Sequence, residues 1–415
     1  MPTSPRRGSS MAAPGSTTRW RCRCTTGRSG SSTGSSCAGM PMPVDPLRVL
    51  HVTPSYARRD GGPSEVLRGL LPELKRQGVT VRLVTTDKGV EPSDQDLQEQ
   101  FPMDVVRARR PFSWTFAPSM VGPLWRALAG ADVVHIHSIH TFPTTVAMIL
   151  SRLRRVPYVI EPHGALDFYH LNQGGTKKRL YTRILDGWGV RGLGGAVYSS
   201  RREALEGTAT LTAESIQMPL GVDETLFDLP REQSGGATVL YLGRLAKKKR
   251  VDLAIRALAE AALRERGVEL IVAGPLGDDL PYDPVAVARD AGVSDRVRFV
   301  GSVGAAERRS LLARSDVFVI PSEDESFGVA LAEAMAAGCA AVASAETGFA
   351  PEAAEADALV LASLTPAGVA AAIARALAER DELGRRGREY ASAHFRWSEA
   401  ASAIAASYER LAKRS

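Results

Sequence analysis

From Leu47 onward the chain alternates between short apolar runs and stretches in which apolar residues recur with helical spacing. In the first half, Ser64–Gln77 and Pro143–Arg154 are predicted to be helices. The predicted strands are Leu47–Thr53, Val79–Thr85, Asp132–His137, Val156–Glu161 and Ala196–Ser199. Several of these runs are apolar throughout, as is typical of parallel strands buried on both faces. The alternation therefore predicts a parallel sheet with helices on both sides.

A second series of the same kind follows Asp228–Thr238, a polar stretch with Pro and Gly that is interpreted as a linker. Its helices are predicted to include Asp252–Arg266 and Val329–Ala337. Its predicted strands are Thr238–Gly243, Val268–Ala273, Arg296–Val300, Asp316–Ile320 and Ala340–Ala343. The predicted fold class is α/β, with two Rossmann-like, doubly wound parallel-sheet domains that face a cleft.

The pattern divides the chain into four segments. Residues 1–44 are rich in Ser, Thr and Gly and are predicted to be a disordered, low-complexity tail. Residues 45–227 and 238–395 are the predicted N-terminal and C-terminal Rossmann-like domains. Residues 396–415 contain a last helix, which is expected to pack back on the N-terminal domain.

The net charge of the chain is unevenly distributed along the sequence. The formal net charge is +6, and residues 1–44 contain six arginines and no acidic residue, so residues 45–415 are formally neutral. A basic nucleic-acid-binding surface is therefore not predicted. Outside the tail the only cysteine is Cys339, which suits a reducing, cytoplasmic compartment. We hypothesise that the tail is an upstream extension and that Met40 or Met42 starts the functional chain.

The most informative segment is Pro321–Gly338, PSEDESFGVALAEAMAAG. It predicts a strand end, a short loop and a helix that begins at Gly328. Glu325 would lie at the mouth of this helix, and Glu333 two turns further along it. Free backbone N–H groups at the helix start form an anion site suited to a diphosphate. Taken alone, two glutamates at this spacing are more often surface carboxylates.

A basic element follows the first predicted strand of the second half. Arg244 comes directly after Gly243, and Lys247, Lys248 and Lys249 follow in the same loop. Basic side chains at the carboxyl end of one strand, beside a helix start that follows another, can neutralise a leaving diphosphate.

On these two segments the chain resembles the glycosyltransferase group 1 family, the family 4 retaining glycosyltransferases of the GT-B fold. Glu325 and Glu333 are similar to the family's glutamate pair, and Gly243-Arg244-Leu245 with Lys249 is similar to its basic motif. The glutamate spacing alone is a weak signal, but both motifs in this order are specific. The resemblance covers about residues 45–413. Further matching stretches are Gly61-Gly62-Pro63, Asp132–His137, Pro162-His163-Gly164, Gly221-Val222-Asp223 and Pro351-Glu352.

The resemblance implies a role for each matching residue. Arg244 and Lys249 would bind the donor diphosphate, Glu333 the ribose hydroxyls, and Glu325 the hydroxyls of the donor sugar. The implied catalytic residues are Glu325, His163, Arg244 and Lys249. The implied donor-binding residues are Gly61, Gly62, Arg244, Lys249, Val300, Val303, Glu325, Phe327, Gly328, Val329, Ala330 and Glu333.

The resemblance also implies an activity. It is the retaining transfer of a hexose-type sugar from a nucleotide-diphosphate sugar to an acceptor hydroxyl, in cell-envelope polysaccharide or glycoconjugate synthesis. The N-terminal domain would hold the acceptor, which is a glycan, a glycolipid or a small molecule. No separate cofactor, nucleic-acid partner or metal ion is expected. The alternatives are a nucleotide-sugar 2-epimerase and a non-catalytic sugar-nucleotide-binding protein of the same fold.

Three positions depart from the family pattern. Ser326 and Arg250 stand where the family usually has glycine, and Leu220 stands where it often has asparagine. These departures leave the charged groups of the donor site in place, so they put the donor's identity in question more than the activity.

Several histidines and one basic stretch have two interpretations. His135 and His137 share a strand face and could bind a metal with His140, but His140 lies beyond the strand end and no nearby carboxylate is predicted. They are therefore expected to line the cleft, and His51 to be structural. Residues 175–189 form a basic amphipathic pattern, which favours either packing within the domain or peripheral contact with an anionic membrane.

Overall fold

The computed structural model describes residues 46–58, 61–112, 114–164, 190–208, 211, 213–232 and 236–414. The predicted tail at residues 1–44 and the basic amphipathic stretch at residues 175–189 lie outside the described residues.

The first half of the described chain forms a seven-stranded sheet. Its strand order is β3-β2-β1-β4-β5-β6-β7, and every pair of neighbours is parallel. The strands are β1 (Arg48–Val52), β2 (Thr80–Thr86), β3 (Met103–Val106), β4 (Val133–His137), β5 (Tyr158–Glu161), β6 (Gly195–Tyr198) and β7 (Ser215–Gln217). The central strands β4, β5 and β6 are buried along their whole length, which explains their continuous apolar sequences.

The second half forms a six-stranded parallel sheet in the order β10-β9-β8-β11-β12-β13. The strands are β8 (Thr238–Leu242), β9 (Glu269–Ala273), β10 (Val297–Gly301), β11 (Val317–Ile320), β12 (Ala340–Ser344) and β13 (Val360–Ala362). The prediction of two Rossmann-like parallel-sheet domains is confirmed. Strand order reverses between β1 and β4 and again between β8 and β11, and ligands of such sheets bind at these points.

Helices connect the strands in both halves. In the first half they are α1 (Gly62–Arg76), α2 (Asp96–Gln100), α3 (Val121–Leu128), α4 (Phe142–Arg154) and α5 (Arg201–Thr208). In the second half they are α6 (Val251–Ala257), α7 (Ala261–Arg264), α8 (Pro284–Asp290), α9 (Ala305–Arg314), α10 (Val329–Ala336), α11 (Ala350–Glu355), α12 (Pro366–Ala378), α13 (Arg380–His394) and α14 (Trp397–Lys413). Within the described part of the chain, no helix combines the length and the low polarity that crossing a membrane requires.

The structure differs from the prediction in a few elements. Strands β3, β7 and β13 were not predicted, because each is short and includes exposed positions, so it lacks the continuous apolar pattern of the buried strands. The single helix predicted over Asp252–Arg266 is two helices, since Glu260 adopts an extended conformation between them. The break lets both Leu258 and Leu263 pack into the core. Arg296 Nη2 donates to the Leu258 carbonyl at 2.9 Å and so satisfies one of the exposed helix-end carbonyls.

The C-terminal helix α14 lies against α1, on the side of the first sheet. Its first residue, Trp397, fills a notch that two glycines leave open. A Cβ on Gly69 would come within 2.0 Å of the Trp397 ring, and one on Gly221 within 2.4 Å. Tyr408, on the same helix, is fully buried and reaches His135 of β4 at 2.5 Å. The chain therefore crosses from the second sheet back to the first at its end.

Candidate functional site

The loop between β11 and α10 is shaped by Gly328. This residue caps the helix with φ 95°, in the left-handed region that side chains rarely adopt. A Cβ here would also come within 2.8 Å of Thr347 Cγ2. Backbone geometry and space therefore both require glycine at the mouth of the helix.

The start of α10 offers backbone donors. The amides of Val329 and Ala330 precede the first N–H with an acceptor inside the helix, which is that of Ala332 bonded to Gly328 O at 3.1 Å. Phe327 is buried and packs against Phe349 at a ring-centroid distance of 5.1 Å. This buried ring anchors the loop just before the helix, so the amides are held in a fixed direction.

Lys249 and Glu325 form a direct ion pair. Both side chains are about four-fifths buried, with 19% of each exposed. The structure therefore brings together two residues to which sequence analysis gave separate roles, one toward diphosphate and one toward sugar. A lysine ammonium has three donors, so it can hold Glu325 and a phosphate oxygen at the same time.

The neighbouring charges are paired as well. Lys248 Nζ lies 3.1 Å from Asp324, and Arg250 pairs with Glu323. Three consecutive basic residues therefore face three consecutive acidic ones, and the basic cluster carries less unbalanced charge than its sequence suggests. Arg244 is the most open of the predicted diphosphate ligands, since 58% of its side chain is exposed and its ion-pair contact, Asp279, lies 3.9 Å away.

Arg250 explains one departure from the family pattern. It has φ 48° and ψ 44°, the left-handed conformation for which glycine is the usual residue. Asp252 receives two hydrogen bonds from its guanidinium, each of 3.0 Å. These bonds hold an arginine where the backbone favours glycine.

Glu333 points into a cavity of about 480 Å³ between the two sheets. Gly62 and Glu65 of α1 line the same cavity, so the structure places Gly62 opposite Glu333. Arg308 Nη1 lies 3.0 Å from the Glu333 carboxylate, which is only 8% exposed. Burial raises the pKa of Glu333 to about 7, with Arg308 opposing the shift and Glu65 adding to it.

The remaining predicted donor residues are Val329, Gly61, Val300 and Val303. Val329 lines the cavity with Glu333. Gly61 caps α1, and a Cβ there would meet open space, so the loop leaves room beside the cavity. Val300 is the penultimate residue of β10, and Val303 lies in the loop after this strand. Both side chains are partly buried against the core.

His163 follows β5 and has φ 53°. Its Nε2 lies 3.2 Å from His137 Nδ1, and its Nδ1 lies 3.4 Å from Glu161 Oε1. Burial lowers the pKa of His163 to about 4, so its imidazole is neutral at neutral pH. His163, one of the implied catalytic residues, is the most exposed member of this buried cluster.

Two expectations about His135 and His137 are corrected. The expectation that no carboxylate lies near His135 and His137 is wrong, because Glu161 on the neighbouring strand β5 lies 3.2 Å from both. These two histidines are also fully buried and do not line the cleft. In addition, the chain contains an Asp-x-Asp sequence, Asp94-Gln95-Asp96, but Arg68 pairs with both carboxylates.

A hydrogen-bond chain that sequence analysis missed links the His163 loop to the Glu325 loop. Gly164 N donates to Glu203 at 2.8 Å, and Glu203 N donates to Ser200 Oγ at 3.1 Å. Ser200 Oγ in turn donates to the carbonyl oxygen of Ser326 at 2.6 Å. Burial raises the pKa of Glu203. An acidic residue in the first turn of the helix, Glu203, was the one available signal in the sequence.

The loops over residues 114–118 and 140–142 come together. Phe142 N donates to Trp114 O at 2.9 Å, and the rings of Trp114, Phe116 and Phe142 lie within 5.6 Å of one another by centroid. This aromatic cluster lies at the start of α4, directly after β4.

Comparison with known protein families identifies the family of this chain. Residues 61–213 match the model of a glycosyl transferase 4-like domain, and residues 223–394 match that of glycosyl transferases group 1. The chain belongs to the group 1 glycosyltransferases. The predicted family is therefore confirmed, and this glycosyltransferase has the GT-B fold.

Curated relatives cover most of this group 1 glycosyltransferase. The GDP-mannose:cellobiosyl-diphosphopolyprenol alpha-mannosyltransferase of Komagataeibacter xylinus is 28% identical over 310 residues, which are 73% of this chain and 77% of the relative. The phosphatidyl-myo-inositol mannosyltransferase of Mycolicibacterium smegmatis is 29% identical over 306 residues, which are 69% and 73% of the two chains.

Solved structures share the GT-B fold at low identity. Sucrose-phosphate synthase from Thermosynechococcus elongatus superposes with a TM-score of 0.69 at 20% identity, covering 89% of this chain and 100% of that one. HepE from Anabaena, solved in complex with UDP and glucose, gives a TM-score of 0.69 at 18% identity and covers 88% and 100%.

Proposed function

We propose that this glycosyltransferase moves a hexose from a nucleotide-diphosphate sugar to an acceptor hydroxyl with retention of anomeric configuration. The contact between Lys249 and Glu325 at the mouth of α10 carries this proposal. In this proposal Lys249 would meet the diphosphate and Glu325 the sugar, and their contact puts both beside the same helix start. Glu333, further along α10, faces the cavity where a ribose would lie.

The leaving diphosphate needs the most stabilisation. As the sugar–phosphate bond breaks, negative charge develops on the diphosphate, and Arg244, Lys249 and the amides of Val329 and Ala330 can stabilise it. Basic side chains and helix amides would do this without a metal ion at the diphosphate. We assign no covalent nucleophile, so the acceptor would attack from the face that the diphosphate leaves, with the diphosphate taking the acceptor's proton.

GDP-mannose is the first donor to test. Relatives from Komagataeibacter xylinus and Mycolicibacterium smegmatis are named as mannosyltransferases, and the former uses GDP-mannose by its name. In our proposal the nucleobase lies near Val300 and Val303. Arg308, next to Glu333, offers a guanidinium whose paired donors suit acceptor atoms on a purine edge.

The acceptor proposed is a lipid-linked sugar of cell-envelope glycoconjugate synthesis. The relative named as acting on cellobiosyl-diphosphopolyprenol supports this choice. The aromatic cluster of Trp114, Phe116 and Phe142 suits stacking on a sugar ring. Such an acceptor would place the enzyme on the cytoplasmic membrane surface as a peripheral protein.

A donor panel tests the proposal. The protein is incubated with GDP-mannose, UDP-glucose and ADP-glucose, each with and without a diphosphopolyprenol-linked disaccharide, and nucleotide release and glycosylated product are measured. We expect release that depends on the acceptor, and an α-linked product from an α-linked donor by NMR. Tight nucleotide binding without turnover would favour a non-catalytic binding protein. Interconversion of the free donor to its 2-epimer would favour an epimerase.

A further inference from the structure

A cluster of four histidines and one glutamate lies inside the first sheet. His51 of β1, His135 and His137 of β4 and Glu161 of β5 are at most 1% exposed, and His163 follows β5. The strand register sets His51 beside His135, and His137 beside Glu161. Because alternate residues of a strand share a face, His135 and His137 point to the same side.

Three of these residues bring potential ligand atoms close together. His137 Nδ1 lies 3.2 Å from His163 Nε2 and 3.2 Å from Glu161 Oε2. The ligand atoms of the three residues all lie within 4.8 Å of one another. Ligands bound tetrahedrally to zinc at about 2.0–2.1 Å are about 3.3 Å apart. The two separations from His137 Nδ1 match that spacing.

Hydrogen bonds alone leave much of the cluster unsatisfied. Both oxygens of Glu161 are buried and lie near imidazole nitrogens, yet they lack a partner in hydrogen-bond geometry among the described residues. His135 Nε2 and His51 Nε2 are also buried without a hydrogen-bond partner among the described residues. Leaving a buried polar group unpaired costs roughly 1–3 kcal/mol, and buried charges are as a rule paired or bound to metals.

The other two histidines occupy the positions of outer partners. His51 Nδ1 lies 3.0 Å from His137 Nε2, the ring nitrogen that points away from Glu161. His135 lies 3.2 Å from Glu161 on one side and 2.5 Å from the Tyr408 hydroxyl on the other. Partners of this kind fix the tautomer and orientation of metal-binding groups.

We propose that His137, Glu161 and His163 bind a zinc ion, with His51 and His135 as the outer partners that orient them. Two imidazoles and one carboxylate are a zinc-binding set that leaves a fourth position open. His163 is the most exposed of the three at 7%, so the open position would face the cleft. The proposal concerns metal binding itself and does not depend on the proposed transferase activity.

Cobalt and zinc titrations test the site. The full chain is prepared without a histidine tag and in metal-free form, with Cys22, Cys24 and Cys37 changed to serine so that thiols cannot bind the ion. We expect one equivalent of Co²⁺ to bind with visible absorption bands of four- or five-coordinate cobalt, and Zn²⁺ to displace it. Zinc should also raise the melting temperature.

Variants assign the ligands. Glu161→Gln and His137→Asn should each weaken Co²⁺ binding by more than about 100-fold, and His51→Asn by about 10- to 100-fold. His394→Gln, which removes an exposed histidine of α13, is the matched control and should bind cobalt normally. Absence of stoichiometric uptake, or unchanged uptake by Glu161→Gln, would overturn the proposal.

X-ray absorption at the zinc edge identifies the zinc ligands of the wild-type chain even if the ligand variants fail to fold. The wild-type chain should show two imidazoles and one carboxylate around zinc. A spectrum with sulfur ligands, or with water oxygens alone, would contradict the site. Failure of the donor panel would leave this measurement unaffected, so the two proposals fail separately.

Discussion

The Ser200 hydroxyl donates to the carbonyl oxygen of Ser326 at 2.6 Å and so joins two loops that follow different sheets. Ser200 lies between β6 and α5, and Ser326 lies next to Glu325 at the mouth of α10. Arg202 adds a second link, with its guanidinium 2.8 Å from Glu346. These contacts join the two halves beside Glu325, and in a transfer reaction closure of such a cleft excludes water.

Replacing Ser200 tests whether this link assists transfer. Ser200→Ala removes a hydrogen bond worth about 0.5–1.5 kcal/mol, so we expect kcat/KM to fall about two- to tenfold. Nucleotide affinity should change less, because Ser200 contacts the loop and not the donor. Ser402→Ala removes a hydroxyl that donates to Ser398 O within α14 and accepts from Gln77 at the end of α1, and it should leave kinetics unchanged. Equal loss of nucleotide affinity and turnover in Ser200→Ala would contradict this role.

Replacing Lys249 and Glu325 tests the donor site. Lys249→Ala and Glu325→Ala should each lower transfer by at least about 100-fold while the protein stays folded, since each removes a group beside the developing charge. Because the two side chains contact each other, the double variant should lose much less than the product of the two effects.

The control for this pair is Lys413→Ala, which removes an exposed lysine paired with Glu409 at 3.9 Å. It should keep normal activity. Steady-state kinetics with the best donor, and circular dichroism of every variant, provide the readout. A near-normal rate in either Lys249→Ala or Glu325→Ala would refute the site assignment.

The sequence was sufficient for the architecture because buried parallel strands have a distinctive pattern. Runs such as Val133–Val134 and Val317–Ile320 are apolar on both faces, and only a sheet covered on both sides buries them. The edge strand β7, with the burial pattern exposed–buried–exposed over three residues, carries too little pattern to be recognised. The break at Glu260 was equally hidden, because tertiary packing of Leu258 and Leu263 overrides local helix propensity.

Site residues could be predicted where they belong to one contiguous motif. Contacts between segments that are distant in the sequence could not be predicted. Glu325 and Glu333 are eight residues apart in one segment, so spacing alone places Glu325 at the mouth of a helix and Glu333 two turns along it. The pairing of Lys249 with Glu325 depends on how β8 and β11 lie side by side. Glu161 meets His135 and His137 only through the register of β4 and β5, which no local pattern encodes.

The conformation of Gly328 predicts a large effect of a single methyl group. Gly328→Ala places a side chain at φ 95° and within 2.8 Å of Thr347, so it should destabilise the protein by at least about 1–2 kcal/mol and weaken donor binding. Adding Thr347→Ser removes the methyl contact and should recover only part of the loss, because the dihedral cost remains. Gly304→Ala is the control, since Gly304 also caps a helix but has φ −77° and open space around it. Urea unfolding measures all three, and equal stability of the Gly328 and Gly304 variants would contradict the prediction.

Glu333 makes stability depend on pH. Burial raises its pKa from 4.5 to about 7, so the folded protein holds a proton that the unfolded chain releases between these values. The contribution of Glu333 to the free energy of unfolding should therefore be most favourable below about pH 4.5 and fall as pH rises toward 7. Glu333→Gln cannot ionise, so relative to wild type it should gain up to about 3 kcal/mol between about pH 5 and pH 8. Urea unfolding at both pH values tests this, and the exposed Glu399→Gln should show no such gain.

Arg308 affects the same ionisation through its direct contact with Glu333. Its guanidinium, 3.0 Å from Glu333, favours the charged carboxylate, so Arg308→Leu should raise the pKa of Glu333 further. If the ionised carboxylate binds ribose hydroxyls, nucleotide affinity must rise with pH as Glu333 loses its proton. The midpoint of that rise should then lie at higher pH in Arg308→Leu than in wild type, and the rise should vanish in Glu333→Gln. Calorimetric titration with the nucleotide from about pH 5 to pH 8.5 measures it. A pH profile that is the same in wild type and Glu333→Gln would show that Glu333 does not bind the nucleotide.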